Sequence, residues 1–180
     1  DRALLQGLEQ GLGGSSFNDT RFPLRIATTD VLTGESIILS NGRLLDAVRA
    51  SIAIPLVFAP WRVNGRLLID GAVSNPLPID AAVKENADII IAVSFTFPTQ
   101  PQLNSATQFA GQLPNILCYN LMQARMAHAR LAHHAEIIPV EIDFCQAIRI
   151  TDTDKIPEIV AAGEAAMQPH IPYLQRLLVS

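Results

Sequence analysis

The sequence predicts an α/β fold with at least part of its sheet parallel, and three observations lead there. Residues 88–95, DIIIAVSF, form a nearly uncharged apolar run of the kind found in strands covered on both faces. That run is entered from a short helical segment that follows the rigid loop Asn75-Pro76-Leu77-Pro78. The order helix, turn, apolar strand is that of an α/β unit with a parallel sheet, and residues 89–95 are expected as an interior strand.

The remaining elements follow in order. Leu4, Leu5 and Leu8 make a short helical stripe, and residues 11–20, GLGGSSFNDT, are composed as a loop. Two β-like runs, 22–29 and 36–39, flank a turn at Thr33-Gly34 and predict a hairpin. Asn41-Gly42 closes the second run. Residues 43–51 then predict a short helix with Leu44, Ala47, Val48 and Ser51 on one side, before Pro55 redirects the chain. The sharpest local signal is Asn64-Gly65 between residues 61–63 and 66–69, a type I′ hairpin turn. Residues 80–85 predict a helix, 98–112 a polar surface loop or lid, 113–134 a long helix and 136–142 a strand. Helices at 157–167 and after Pro172 complete the chain.

Composition narrows the function classes. Hydrophobic residues are 49% of 180, which excludes a disordered tail and permits one domain with a sizeable core. Thirteen Lys and Arg against 17 Asp and Glu give a net charge of −4, a poor match to a nucleic-acid backbone. Cys118 and Cys145 do not form a disulfide framework, and a reducing compartment fits better than secretion. No apolar run approaches the length of a membrane span. The chain starts at Asp1 without an initiator Met, so a preceding segment is expected.

Asp70 is the leading candidate for chemistry. It closes an apolar strand and precedes Gly71-Ala72, and strand ends of open α/β sheets face the ligand crevice. A carboxylate there can orient a base or act as one for a serine hydroxyl; its structural alternative is to cap a turn. No nucleophile accompanies it. Gly13-Gly14-Ser15-Ser16-Phe17 departs from the G-x-S-x-G elbow at its last position and lacks a preceding strand. His128, His133 and His134 lack the i, i+4 spacing of a metal pair, and His170 stands alone. Cys118 and Cys145 fit small buried side chains. Asp152 and Asp154 lack the rest of a calcium loop. Neither a metal nor a cofactor is expected.

Residues 49–82, RASIAIPLVFAPWRVNGRLLIDGAVSNPLPIDAA, carry a more specific pattern. Ala50-Ser51, Ala53 and Pro55 stand with Phe58 and Pro60, followed by Gly65 to Asp70, Asp70-Gly71-Ala72 and Asn75-Pro76-x-Pro78. This pattern resembles the patatin-like phospholipases, in particular bacterial members related to neuropathy target esterase. Residues 26–40 resemble the strand pair of the same family, 136–167 less specifically its last strand and helix, and the likeness spans most of 20–170.

The resemblance implies a three-layer α/β/α sandwich with a mostly parallel mixed sheet, of which residues 1–180 are the C-terminal portion of a single domain. It implies hydrolysis of carboxylic esters of phospholipids or lysophospholipids by a Ser–Asp dyad without histidine. Only the aspartate carries over, onto Asp70, with Gly71, Ala72, Asn75 and Pro76 supporting its turn. The serine elbow and oxyanion loop are expected upstream, so the isolated chain is expected to be inactive. Pro55, Leu56, Val57 and Phe58 are candidates to line an acyl groove, with core packing as their plainer role.

The expected partners are a lipid or ester substrate, the upstream part of the same domain and a peripheral membrane contact, with no nucleic acid. The expected location is the cytoplasm, peripheral to the inner face of the membrane. The competing class is a non-enzymatic α/β module that binds lipid or protein. A nucleotide-binding domain finds neither a Rossmann fingerprint nor a P-loop.

Overall fold

The structure is a computed structural model that describes residues 2–96, 104–132, 134–144 and 152–179. Its helices are α1 (Arg2–Leu12), α2 (Leu44–Ser51), α3 (Ile79–Lys84), α4 (Ala106–Ala132), α5 (Ile156–Met167) and α6 (Ile171–Val179). Its strands are β1 (Ile26–Asp30), β2 (Ser36–Leu39), β3 (Trp61–Val63), β4 (Arg66–Asp70), β5 (Ile89–Phe95) and β6 (Glu136–Ile142).

The strands form two sheets. The larger has the order β2-β1-β4-β3 and is antiparallel throughout. This corrects the expectation of a mostly parallel sheet, and the cause is connection length. β1–β2 and β3–β4 are hairpins, and a tight connection can only return the chain antiparallel. Asn64 and Gly65 both have positive φ, 49° and 80°, as the type I′ turn requires. β1 then pairs β4 antiparallel, with Thr28 opposite Asp70. Among the described residues only β5 and β6, joined through α4, are parallel, from Ile89 opposite Glu136 to Phe95 opposite Ile142.

β5 corrects a second expectation. Among the described residues it pairs with β6 alone and is an edge strand, not an interior one. Ile90, Ala92 and Ser94 are buried while Ile91, Val93 and Phe95 are nearly half exposed. Pro139 sits in β6, the other edge, where its missing N–H costs the ladder nothing.

Each sheet has its own core. α2 lies across β1, β3 and β4 and closes a cluster of Phe17, Leu39, Leu44, Ala47, Ala50 and Leu68. The larger of these side chains contribute about 1.5–3 kcal/mol each on burial. The second cluster joins Leu77 and Ile79 to Ile90 and Ala92 of β5 and to Met122 and Ala129 of α4. α5 lies on the opposite face, where Gly163 approaches Ile142.

Element boundaries differ from expectation most at α4. It starts at Ala106, so residues 106–112 are helix rather than loop or lid. Pro114 lies within it. Among the described residues, no helix is long and apolar enough to cross a membrane.

Candidate active site

Asp70 ends β4 and is fixed from three sides. Its backbone N–H donates to the Ala53 carbonyl at 3.1 Å. Its own carbonyl accepts from Thr29 Oγ1 at 2.9 Å. Its carboxylate Oδ1 accepts from the Ala72 N–H at 2.8 Å and so caps the 3-10 turn Gly71–Val73. The structural alternative is therefore realised, but it uses one oxygen. Oδ2 makes no hydrogen bond among the described residues. Asp70 is half-buried. Burial pushes its carboxyl up from the ordinary value, and the Ala72 N–H pulls the other way.

The sequence around Asp70 is explained by close approach. A Cβ on Gly71 would run into the Ala27 carbonyl of β1, so only glycine fits there. Ser51 Oγ donates to that same Ala27 carbonyl at 2.9 Å. Ala50 and Ala53 are fully buried at the end of α2, where larger side chains would separate it from the sheet. Beyond the turn, the Asn75 N–H donates to the Gly71 carbonyl at 2.8 Å. Asn75 Nδ2 donates to Asp80 Oδ1 at 2.9 Å, tying the turn to the first residues of α3. Pro76 is half-buried between them.

The acyl-groove candidates divide. Pro55, Leu56 and Val57 are exposed, Leu56 at 98%, so none of the three is core. Phe58 is half-buried with its ring 5.6 Å from the Arg49 guanidinium, which also stacks on Trp61 at 5.2 Å. Phe58 is thus committed to holding the loop.

Two contributors, Thr29 and Arg125, had no assigned role, and a third, Cys118, was expected as a small buried side chain but is half-buried. Thr29 Oγ1 also lies 2.8 Å from Ser74 Oγ, joining β1 to the turn after Asp70. Arg125 of α4 donates to the Ser74 carbonyl at 3.3 Å. Cys118 lies one helical stretch earlier on α4, where burial raises its thiol pKa and the nearby Asp70 carboxylate adds to the rise. The only sequence signal for these is the Thr28-Thr29 pair at the inner end of β1; the α4 residues are distant in sequence.

The other polar candidates stay apart. Ser16 caps the 3-10 turn Phe17–Asp19 in a reciprocal capping box with Asp19. His128 and His134 are exposed, and Lys155 pairs with Asp152 at 3.6 Å. His133 and Cys145 lie outside the described residues. Among the described residues, no three His, Cys, Asp or Glu converge as a metal site. A depression of about 590 Å³ lined by Leu5, Arg43, Asp46 and Trp61 lies off α1 and α2, and Asp70 is not part of it.

Asp70 is thus a half-buried carboxylate at a strand end, held by a glycine turn with one oxygen unengaged among the described residues. Comparison with known proteins places this part of the chain. Residues 1–83 match the patatin-like phospholipase family model, and that stretch includes Asp70-Gly71-Ala72 and Asn75-Pro76-Leu77-Pro78. An uncharacterised NTE-family protein of Mycobacterium tuberculosis is 42% identical over 91 residues, 51% of this chain and 25% of that protein. A probable lipid hydrolase of Invertebrate iridescent virus 6 is 38% identical over 80 residues, 41% of this chain and 27% of that protein. Over this part, the chain is homologous to the patatin-like hydrolases, with bacterial NTE-family members among its relatives. The chain spans about a quarter of the length of these two relatives.

Proposed function

We propose that the whole protein is a serine esterase of phospholipids or lysophospholipids, and that residues 1–180 are the C-terminal portion of its single patatin-like domain. Asp70 is the catalytic carboxylate, with the serine and the oxyanion donors supplied upstream. The observation that carries this reading is Asp70 Oδ2: it belongs to a carboxylate whose other oxygen is fixed by the Ala72 N–H.

The serine oxygen attacks the ester carbonyl carbon while Asp70 takes its proton. The carbon–oxygen bond to the alcohol then breaks, and the proton passes to the leaving alkoxide. Water attacks the acyl-enzyme, again giving its proton to Asp70, and the fatty acid leaves as the proton returns to serine. Pro55, Leu56 and Val57 border the acyl chain. The protein acts in the cytoplasm at the surface of the membrane.

The test is Asp70→Asn in the full-length protein, read by hydrolysis of a chromogenic acyl ester and by fluorophosphonate labelling of serine. The amide keeps the acceptor for the Ala72 N–H but cannot take a proton. Loss of a general base costs roughly 100-fold to 10,000-fold in turnover. A variant that kept more than about a tenth of wild-type turnover would overturn the assignment. Loss of activity together with the circular dichroism signal would make Asp70 structural.

A further inference from the structure

One hydroxyl spans both ends of the turn that follows Asp70. Thr29 lies in β1 opposite Ile69, the neighbour of Asp70 in β4, and is 2% exposed. Its Oγ1 stands 2.9 Å from the Asp70 carbonyl oxygen and 2.8 Å from Ser74 Oγ. A threonine hydroxyl has a single proton, and a carbonyl oxygen can only accept. The direction of both bonds is therefore set: Thr29 donates to Asp70, and Ser74 donates to Thr29. Asp70 opens the 3-10 turn Gly71–Val73 and Ser74 closes it. Ser74 is itself held through its backbone. Its N–H donates to the Gly71 carbonyl at 3.2 Å, and its carbonyl accepts from Arg125 of α4 at 3.3 Å.

The Ala72 N–H that fixes Asp70 Oδ1 lies inside this clamped turn. Tying the start of the turn to its end keeps that N–H at 2.8 Å from Oδ1, and the bond in turn fixes where Oδ2 stands. The same N–H lowers the Asp70 carboxyl against the upward push of burial. Thr28 supplies the contrast. It is equally buried, but its hydroxyl donates to the Ile37 carbonyl of β2 at 2.9 Å and pins the neighbouring strand instead. Two adjacent threonines make the same kind of bond, and only that of Thr29 ends on Asp70.

We propose that Thr29, with Ser74 behind it, is the positioning residue of Asp70, holding the turn so that Oδ2 keeps one orientation for the proton it accepts. This rests on the reading of Asp70 as the catalytic carboxylate. The turn does not need the clamp in order to close, because the Ser74 and Asn75 N–H groups already donate to the Gly71 carbonyl. What the Thr29 hydroxyl adds is rigidity at the carboxylate. A group that moves a proton must be held within roughly 0.5 Å of its productive place by supporting hydrogen bonds. Buried in β1, Thr29 acts through Asp70 and not on the substrate, so its removal falls on kcat and leaves KM unchanged.

The experiment is steady-state hydrolysis of a chromogenic acyl ester by the full-length protein across pH, beside a urea melt of each variant. Thr29→Val keeps the shape and removes the hydroxyl. Thr29→Ser keeps the hydroxyl and removes the methyl. Thr28→Val removes the neighbouring hydroxyl bond to β2. Thr29→Val loses roughly tenfold to a hundredfold in kcat at unchanged KM, the scale of a misplaced catalytic group. Its acid limb moves to higher pH, because the Ala72 N–H no longer holds Oδ1 firmly. Thr29→Ser and Thr28→Val lose stability but keep the wild-type kcat and acid limb. Ser74→Ala takes the donor from Thr29 and lowers kcat in the same direction by less. The proposal is overturned if Thr29→Val keeps the kcat of wild type, if Thr29→Ser loses as much as Thr29→Val, or if Thr28→Val loses kcat equally. The last two results would make the threonines supports of the sheet alone. Should Thr29→Val not fold, Ser74→Ala decides, and a wild-type kcat in that variant overturns the proposal. Failure of the catalytic reading looks different: Asp70→Asn then keeps its ester turnover.

Discussion

The Asp70 N–H donates to the Ala53 carbonyl at 3.1 Å, and this bond fastens the end of β4 to the loop leaving α2. Ala27 of β1 is the second fastening point. Its carbonyl accepts from Ser51 Oγ at the end of α2, and Gly71 packs directly over it. Three elements far apart in sequence therefore meet around backbone atoms, and the small residues Ala50, Ala53 and Gly71 are what let them approach.

Gly71→Ala is expected to destabilise the protein. The added methyl meets the carbonyl and Cβ of Ala27, and backbone in the middle of a sheet has no low-cost way to yield. Overpacking of this kind costs about 1–3 kcal/mol. The shift should appear as a lower urea midpoint with unchanged slope, accompanied by loss of ester turnover because Asp70 moves with its turn. An unchanged midpoint would mean that the approach is looser than the structure gives.

Asp70 and Asp30 should respond to pH with opposite signs. The Asp70 carboxyl is raised by burial, so the folded state disfavours its ionised form. Its contribution falls as pH rises from the unfolded value near 3.8 through the higher folded value. Asp70→Asn should therefore melt above wild type at neutral pH and converge with it in acid. Turnover should rise with pH over the window in which Asp70 ionises. Melting temperature against pH for both proteins decides it, and parallel curves would show that burial does not penalise this carboxylate.

Asp30 is lowered, first by the Leu32 N–H, then by the Thr33 N–H and Arg66, with burial opposing. Its Oδ1 accepts from both N–H groups at 2.9 and 3.3 Å, and its Oδ2 pairs with Arg66 at 3.1 Å. That contribution is complete above the unfolded value near 3.8 and is lost as pH falls through the lower folded one. Asp30→Asn should flatten the acid limb of the stability curve and lower the melting temperature at neutral pH. Turnover should remain near wild type, because Asp30 shapes the β1–β2 turn and not the site. Loss of turnover in a fully folded Asp30→Asn protein would contradict that division.

What the sequence disclosed was local. Thr33-Gly34 and Asn64-Gly65 fixed two hairpins, and the second put Asp70 at a strand end because its register follows from the turn. The pairing of β1 with β4 has no local signal, since Thr28 and Asp70 meet only in the fold. The parallel sheet expected from residues 78–95 therefore did not extend to the strands before it. The polar composition of 98–112 suggested a loop or lid, yet α4 already starts at Ala106, as tertiary anchoring by Met122 and Ala129 outweighs weak local propensity. The apolar run of β5 gave the strand but not its neighbours. The approach of Cys118 and Arg125 to the Asp70 turn is likewise a product of packing.

Leu56 offers a test that separates stability from function. Its φ is 69°, in the left-handed region where a branched side chain is strained, and it is 98% exposed. It therefore gains almost nothing from burial to offset the strain. The left-handed conformation costs a non-glycine residue roughly 1–2 kcal/mol, part of which Leu56→Gly gives back through the greater freedom of the unfolded chain. The variant is expected to be as stable as wild type or up to about 1 kcal/mol more stable. If Leu56 borders the acyl chain, the same variant should lose turnover on long-chain esters while hydrolysing short-chain esters normally, because only a long chain reaches the loop. The comparison is kcat/KM for a short and a long p-nitrophenyl ester, measured beside a urea melt of the same full-length protein. Equal losses on both esters would place the effect on Asp70 through the Ala53 bond, and no loss on either would remove Leu56 from the acyl path.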